Sequence, residues 1–189
     1  MSSPNATPPP LSFYVHRTSR LSCDLRVYNS DQKTIAYTIN TPCGLIDPFA
    51  ESPNLFIYRG APHVDEADDN PYENHPSIAT ATLPKYGTSI SLVINDRTID
   101  LPSHTTGLWK YSRTWKSYKG ALRWKYGRFG IGMELVDEKG EALGHWESNG
   151  GGKWIARLQI KETEEKVDPA WVDEVVSIAT AIFVTKTRG

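Results

Sequence analysis

Asp168-Pro169-Ala170-Trp171-Val172-Asp173-Glu174-Val175-Val176-Ser177-Ile178-Ala179-Thr180-Ala181-Ile182-Phe183-Val184-Thr185-Lys186 carries the one long helical signal in this chain. Asp168 has an N-cap side chain, and Pro169 suits the first helical position, where a missing N–H costs nothing. Asp173 and Glu174 would complement the positive end of the helix dipole, and Lys186 and Arg188 the negative end. Start and stop signals therefore predict a helix over about 169–186. Between them the apolar residues cover most of the circumference instead of one stripe. A helix apolar nearly all round is buried on every side or lies in a membrane. Its continuous apolar stretch falls below the roughly 20 residues needed to span and holds Ser177 and Thr180, which argues for burial.

Upstream of that segment the period changes. Short runs alternate apolar and polar residues between turn signals, the pattern of half-buried strands. The runs are Phe13 to His16, Ser22 to Tyr28, Thr34 to Ile39, Leu55 to Tyr58, Ile78 to Leu83, Ser89 to Ile94, Thr98 to Leu101, Leu108 to Ser112, Ala121 to Tyr126, Phe129 to Val136, Ala142 to Glu147 and Lys153 to Ile160. About a dozen strands at this spacing suit an all-β barrel or sandwich. Asn95-Asp96 can supply the positive φ of a tight hairpin, and Gly140 the left-handed position after Asp137-Glu138-Lys139. Hairpins make the sheet mainly antiparallel.

The 189 residues suffice for one core without staples, and 21 basic against 22 acidic side chains leave no global field for nucleic acid or an anionic membrane. Cys23 and Cys43 read as reduced, buried thiols. Met1 to Leu11, rich in Ser and Pro with no apolar core of its own, reads as a disordered tail over 1–12 and not as a signal peptide, which predicts a cytoplasmic protein.

Antiparallel strands followed by one apolar helix resemble the tubby-like C-terminal fold, shared by tubby proteins, phospholipid scramblases and the plant LURP-one-related proteins. The residues that carry the likeness are Val167 to Trp171 through Ile182 to Val184, and Glu134 to Gly144, which is similar to a strand-turn-strand unit of that superfamily. Leu25 to Tyr37 echoes it more loosely. The chain also looks like uncharacterised fungal domains grouped near it. The resemblance implies one domain over 13–187, an antiparallel barrel of about twelve strands enclosing the C-terminal helix, and Trp171, Val175, Ile178, Ala179, Ile182 and Phe183 in the core. It also favours lipid headgroups over nucleic acid.

One segment has a distinctive local chemistry. From Leu108 to Phe129 the chain holds Lys110, Arg113, Lys116, Lys119, Arg123, Lys125 and Arg128 with no acidic residue, interleaved with Trp109, Tyr111, Trp115, Tyr118, Trp124, Tyr126 and Phe129. On strands, alternation gives a core face and a solvated face. The functional reading is an anion site with aromatics anchored at a membrane interface. Lys116 and Lys119 are expected in a loop between Ser112 and Ala121. The acidic loop over 60–76, with Asp65, Glu66, Asp68, Asp69 and Glu73, would mask the patch if it folded over it.

No catalytic motif is present. His63 and His75 flank the acidic loop with a spacing that fits no metal site, and His16, His104 and His145 are isolated and read as structural. Ser148 to Lys153 lacks the flanks of a phosphate loop and reads as a hairpin connection. No cofactor or metal is implied. The expectation is a non-catalytic module for anionic, phosphoinositide-like phospholipid headgroups, at the membrane periphery, with the seven cations as ligands. An enzyme with a spatially assembled site and a protein-interaction domain stay open as alternatives.

Overall fold

In the computed structural model, residues 9–18, 24–41, 53–61, 75–83, 89–107, 110–127, 132–149, 154–161 and 167–188 are described. Twelve strands precede one helix: β1 Leu11–Arg17, β2 Leu25–Tyr28, β3 Ile35–Asn40, β4 Leu55–Arg59, β5 Ala79–Thr82, β6 Ser89–Ile94, β7 Arg97–Gly107, β8 Lys110–Ser117, β9 Gly120–Gly127, β10 Gly132–Val136, β11 Ala142–Ser148, β12 Ala156–Ile160 and α1 Pro169–Arg188. Each strand pairs antiparallel with its chain neighbour, and β1 pairs with β12, so the sheet closes into a barrel without an edge.

Turn chemistry sets the register. Asn95 and Asp96 adopt φ of 48° and 61°, so both central positions of the β6–β7 turn are left-handed, as a tight hairpin requires. Gly144 serves a close approach: a Cβ there would lie 2.8 Å from the Gln159 backbone oxygen on the neighbouring β12.

The helix fills the barrel. Trp171 to Val184 are buried without a break, and the expected core residues Trp171, Val175, Ile178, Ala179, Ile182 and Phe183 are among them. Strands meet it with inward Leu, Ile and Trp side chains such as Leu92, Leu135, Leu158, Trp124 and Trp146, and Phe183 packs on Trp146 at a ring distance of 5.2 Å. Asp168 caps the start as expected, its Oδ1 accepting the Ala170 N–H at 2.8 Å.

Several expected boundaries move. β7 runs to Gly107 and not to Leu101, and β8 continues to Ser117, so Lys116 lies on a strand and only Tyr118-Lys119 form the turn. Arg113 hid the continuation: it takes an inward position, opposite Trp124, where period-2 reading looks for an apolar side chain. Asp173 and Glu174 are not dipole partners in the first turn, which holds no acidic residue. They are buried one turn further in.

Candidate functional site

Strand alternation sorts the seven cations. On β9, Leu122, Trp124 and Tyr126 point inward and are buried, so Arg123 and Lys125 point out and are exposed. On β8, Lys110 and Lys116 are exposed. Thr114 faces Arg123 and Ser112 faces Lys125 in the ladder, which sets Lys116 diagonal to Arg123 and Lys110 diagonal to Lys125. Successive outward positions on a strand lie about 7 Å apart. The four therefore form one cationic strip on the outer wall. Glu134 of β10 is the cross-strand neighbour of Lys125, yet no ion pair forms at any of the four cations among the described residues.

The other three expected ligands do not belong to the strip. Arg113 is buried within the barrel; its Nε donates to the Tyr126 hydroxyl at 3.1 Å and its guanidinium donates to the Leu101 carbonyl. A guanidinium is tolerated there because a carbonyl and a phenol both accept from it. Lys119 is exposed in the β8–β9 turn, with Nζ 4.4 Å over the Trp171 ring. Beside it the Tyr118 hydroxyl bonds Asp168, and this bond, followed by the Ala170 N–H, holds the Asp168 carboxyl below the usual carboxylate range. That hairpin tip thus clasps the start of the helix. Arg128 lies outside the described residues, as do Trp109, Phe129, Cys23, Cys43, 1–8, 150–153 and the acidic loop from His63 to Glu73.

The aromatics depart from the membrane-anchor expectation. Trp115 and Trp124 are buried in the core, and Tyr118, 52% exposed, is the segment's one exposed aromatic among the described residues. Hydrophobic burial wins because the inward face of β8 and β9 meets the helix.

At the barrel end where α1 finishes, the wall opens into a concavity of about 540 Å³. Lys110 and Tyr111 of β8 line it with Lys125 and Tyr126 of β9. Glu134 and His145, directly opposite each other on β10 and β11, form the far side. The two tyrosine rings stack with centroids 6.0 Å apart. Lys186 of the helix places Nζ 4.8 Å from the Tyr111 centroid and 4.6 Å from that of Tyr126. Burial, and secondarily the Arg113 charge, push the Lys186 ammonium below its usual range. Sequence reading missed Lys186, which looked like a dipole partner, and His145, which is exposed here and not a structural histidine. The signal for Lys186 was its place two residues beyond the buried run.

A second concavity, of about 360 Å³, lies at the start of the helix among Phe13, Ile35, Val167 and Val172. Three of its polar side chains are engaged with one another. The Tyr37 hydroxyl donates to Asp173 Oδ1 at 2.9 Å and Arg59 pairs with the same carboxylate. Burial first, then the Asp173 charge, raise the Tyr37 phenol well above its usual range. Nearby, Glu174 accepts the Trp115 indole N–H at 2.5 Å and pairs with Arg97.

Among the described residues no group of three His, Cys, Asp or Glu stands close enough to hold a metal ion. His75 places Nε2 3.1 Å from the Arg59 carbonyl oxygen. None of the described helices is long and apolar enough to cross a membrane.

These features define an antiparallel barrel filled by its C-terminal helix. No protein-family model matches the chain. No curated protein matches it either. A solved crystal structure of an Arabidopsis thaliana protein is similar over 93% of each chain, at 10% sequence identity and a TM-score of 0.46.

Proposed function

We propose that this chain is a tubby-like, non-catalytic binding module that docks on anionic phospholipid headgroups, phosphoinositides among them, at the membrane periphery. The observation that carries the reading is the outer strip of Lys110, Lys116, Arg123 and Lys125, exposed and without an ion pair among the described residues. A chain that is otherwise near neutral concentrates charge there. Each basic residue near an anionic surface contributes about 1 kcal/mol, so four give about 4 kcal/mol, close to three decades of affinity. The barrel around a C-terminal helix is also the architecture that the tubby-like resemblance implies.

The test is co-sedimentation with vesicles of phosphatidylcholine carrying phosphatidylinositol 4,5-bisphosphate. Wild type should bind at 0.1 M salt and release toward 1 M, as the screening length falls from about 10 Å to about 3 Å. Lys116→Glu with Arg123→Glu should weaken binding by thirtyfold or more, roughly the two lost contributions plus repulsion, with the melting temperature unchanged. Lys119 is unsuitable for that test, because its ammonium sits on Trp171. Failure of wild type to bind these vesicles at low salt sinks the reading.

A further inference from the structure

The end of the barrel beside Lys186 carries more than a surface strip. Lys110 and Lys125 reach the 540 Å³ concavity from two adjacent strands, and Lys186 sits on the tyrosine pair that lines it. Two ammonium groups of the lining, Lys110 and Lys125, share the concavity with one carboxylate, Glu134, and Lys186 adds positive charge from behind the tyrosine pair, outside the lining. Lys186 is half-buried, and among the described residues no carboxylate pairs with it. A cation kept partly out of water without a counter-charge has a standing deficit that an incoming anion relieves.

We infer that this concavity is a phosphomonoester site, in which Lys110 and Lys125 contact the phosphate oxygens and Lys186, behind Tyr111 and Tyr126, supplies attractive charge from the barrel end. A phosphomonoester brings about −1.5 to −2 charge and three acceptor oxygens, which the two lining ammoniums can contact while Lys186 adds attraction from behind the rings. Lysine ammoniums act as point charges that suit a tetrahedral anion from several directions. The guanidinium fork that would favour a planar carboxylate is Arg113, which is buried and already donates to Leu101 and Tyr126. A phosphodiester offers about half the charge. This inference deepens the proposed function and rests on it for the lipid source alone, since a free phosphomonoester presents the same group.

The experiment uses the full chain and two kinds of probe. Calorimetric titration with glycerol 3-phosphate reports the free group, and vesicles carrying phosphatidic acid or, at equal surface charge, phosphatidylglycerol report the lipid. Binding of glycerol 3-phosphate, weakened roughly tenfold by Lys110→Gln or Lys125→Gln, the scale of one charge-assisted hydrogen bond, supports the site. Lys186→Met, which keeps the packing on both rings, should weaken it several-fold. Preference for phosphatidic acid over phosphatidylglycerol then assigns the group to a headgroup. Binding of glycerol 3-phosphate with indifference to all vesicles keeps the site and removes the membrane role. Equal binding to both vesicles with no response to glycerol 3-phosphate, or unchanged titrations in Lys110→Gln and Lys125→Gln, overturns the site and leaves the surface strip standing.

Discussion

The two ends of the central helix treat charge in opposite ways. Near its start, Asp173 and Glu174 expose only 4% of their side chains and each has an arginine and a second donor in place, Arg59 with Tyr37 and Arg97 with Trp115. Near its finish, Lys186 rests on aromatic faces beside Arg113. Buried ion pairs add little net stability but are costly to break, so their clearest use is to fix position. The paired end holds the height and rotation of the helix in the barrel. At the cationic end no carboxylate pairs with Lys186 among the described residues.

The harshest break is to end the chain after Lys166. That removes the entire filling, and the product should be insoluble or molten, without a cooperative melt by circular dichroism. Val175→Asp is expected to cost at least about 3 kcal/mol in denaturant unfolding, because a fully buried carboxylate finds no partner. Next come Asp173→Ala and Glu174→Ala, each costing about 2 kcal/mol. The freed arginines are 56% and 40% exposed and rehydrate, which keeps the cost at the lower end. Lys186→Met, at the opposite end, should leave the melting temperature unchanged or raise it, within roughly 0.5 kcal/mol. A loss there as large as that of Glu174→Ala would erase the contrast between the ends.

The smallest effect lies away from both. In the β2–β3 turn the Thr34 hydroxyl, then the N–H groups of Lys33 and Thr34, draw the Asp31 carboxyl from 3.8 to about 2. A carboxyl with a depressed folded-state pKa stabilises above its unfolded value and loses that contribution as pH falls toward about 2. Asp31→Asn should therefore flatten the stability curve between pH 3.8 and about 2, read by urea midpoints, and leave vesicle binding at pH 7 untouched.

Local rules made most of the architecture legible. The alternation in Ser89–Ile94 and the cap at Asp168 depend on neighbours in the chain, so the strand and the helix start appear where the sequence put them. Partnerships between distant residues were not legible. Asp173 looked like a dipole partner because Tyr37 and Arg59, its true partners, are far off in the chain. Of the candidate cations, alternation alone assigns Arg123 and Lys125 outward. Arg113 breaks that rule, since a guanidinium inside a barrel is acceptable only when Leu101 and Tyr126 arrive from other strands to satisfy it.

The order of segments along the chain also has a consequence in time. The helix follows all twelve strands, and the first strand, already paired with the second, finds its other partner only in the last. At about 5–20 residues per second, synthesis takes roughly ten to thirty seconds to pass from Leu11 to Pro169. Throughout that interval the inward faces of the strands have nothing to surround. A closed barrel with this pairing folds late, through contacts of high sequence separation that form slowly. The nascent chain therefore carries exposed apolar faces until the helix emerges.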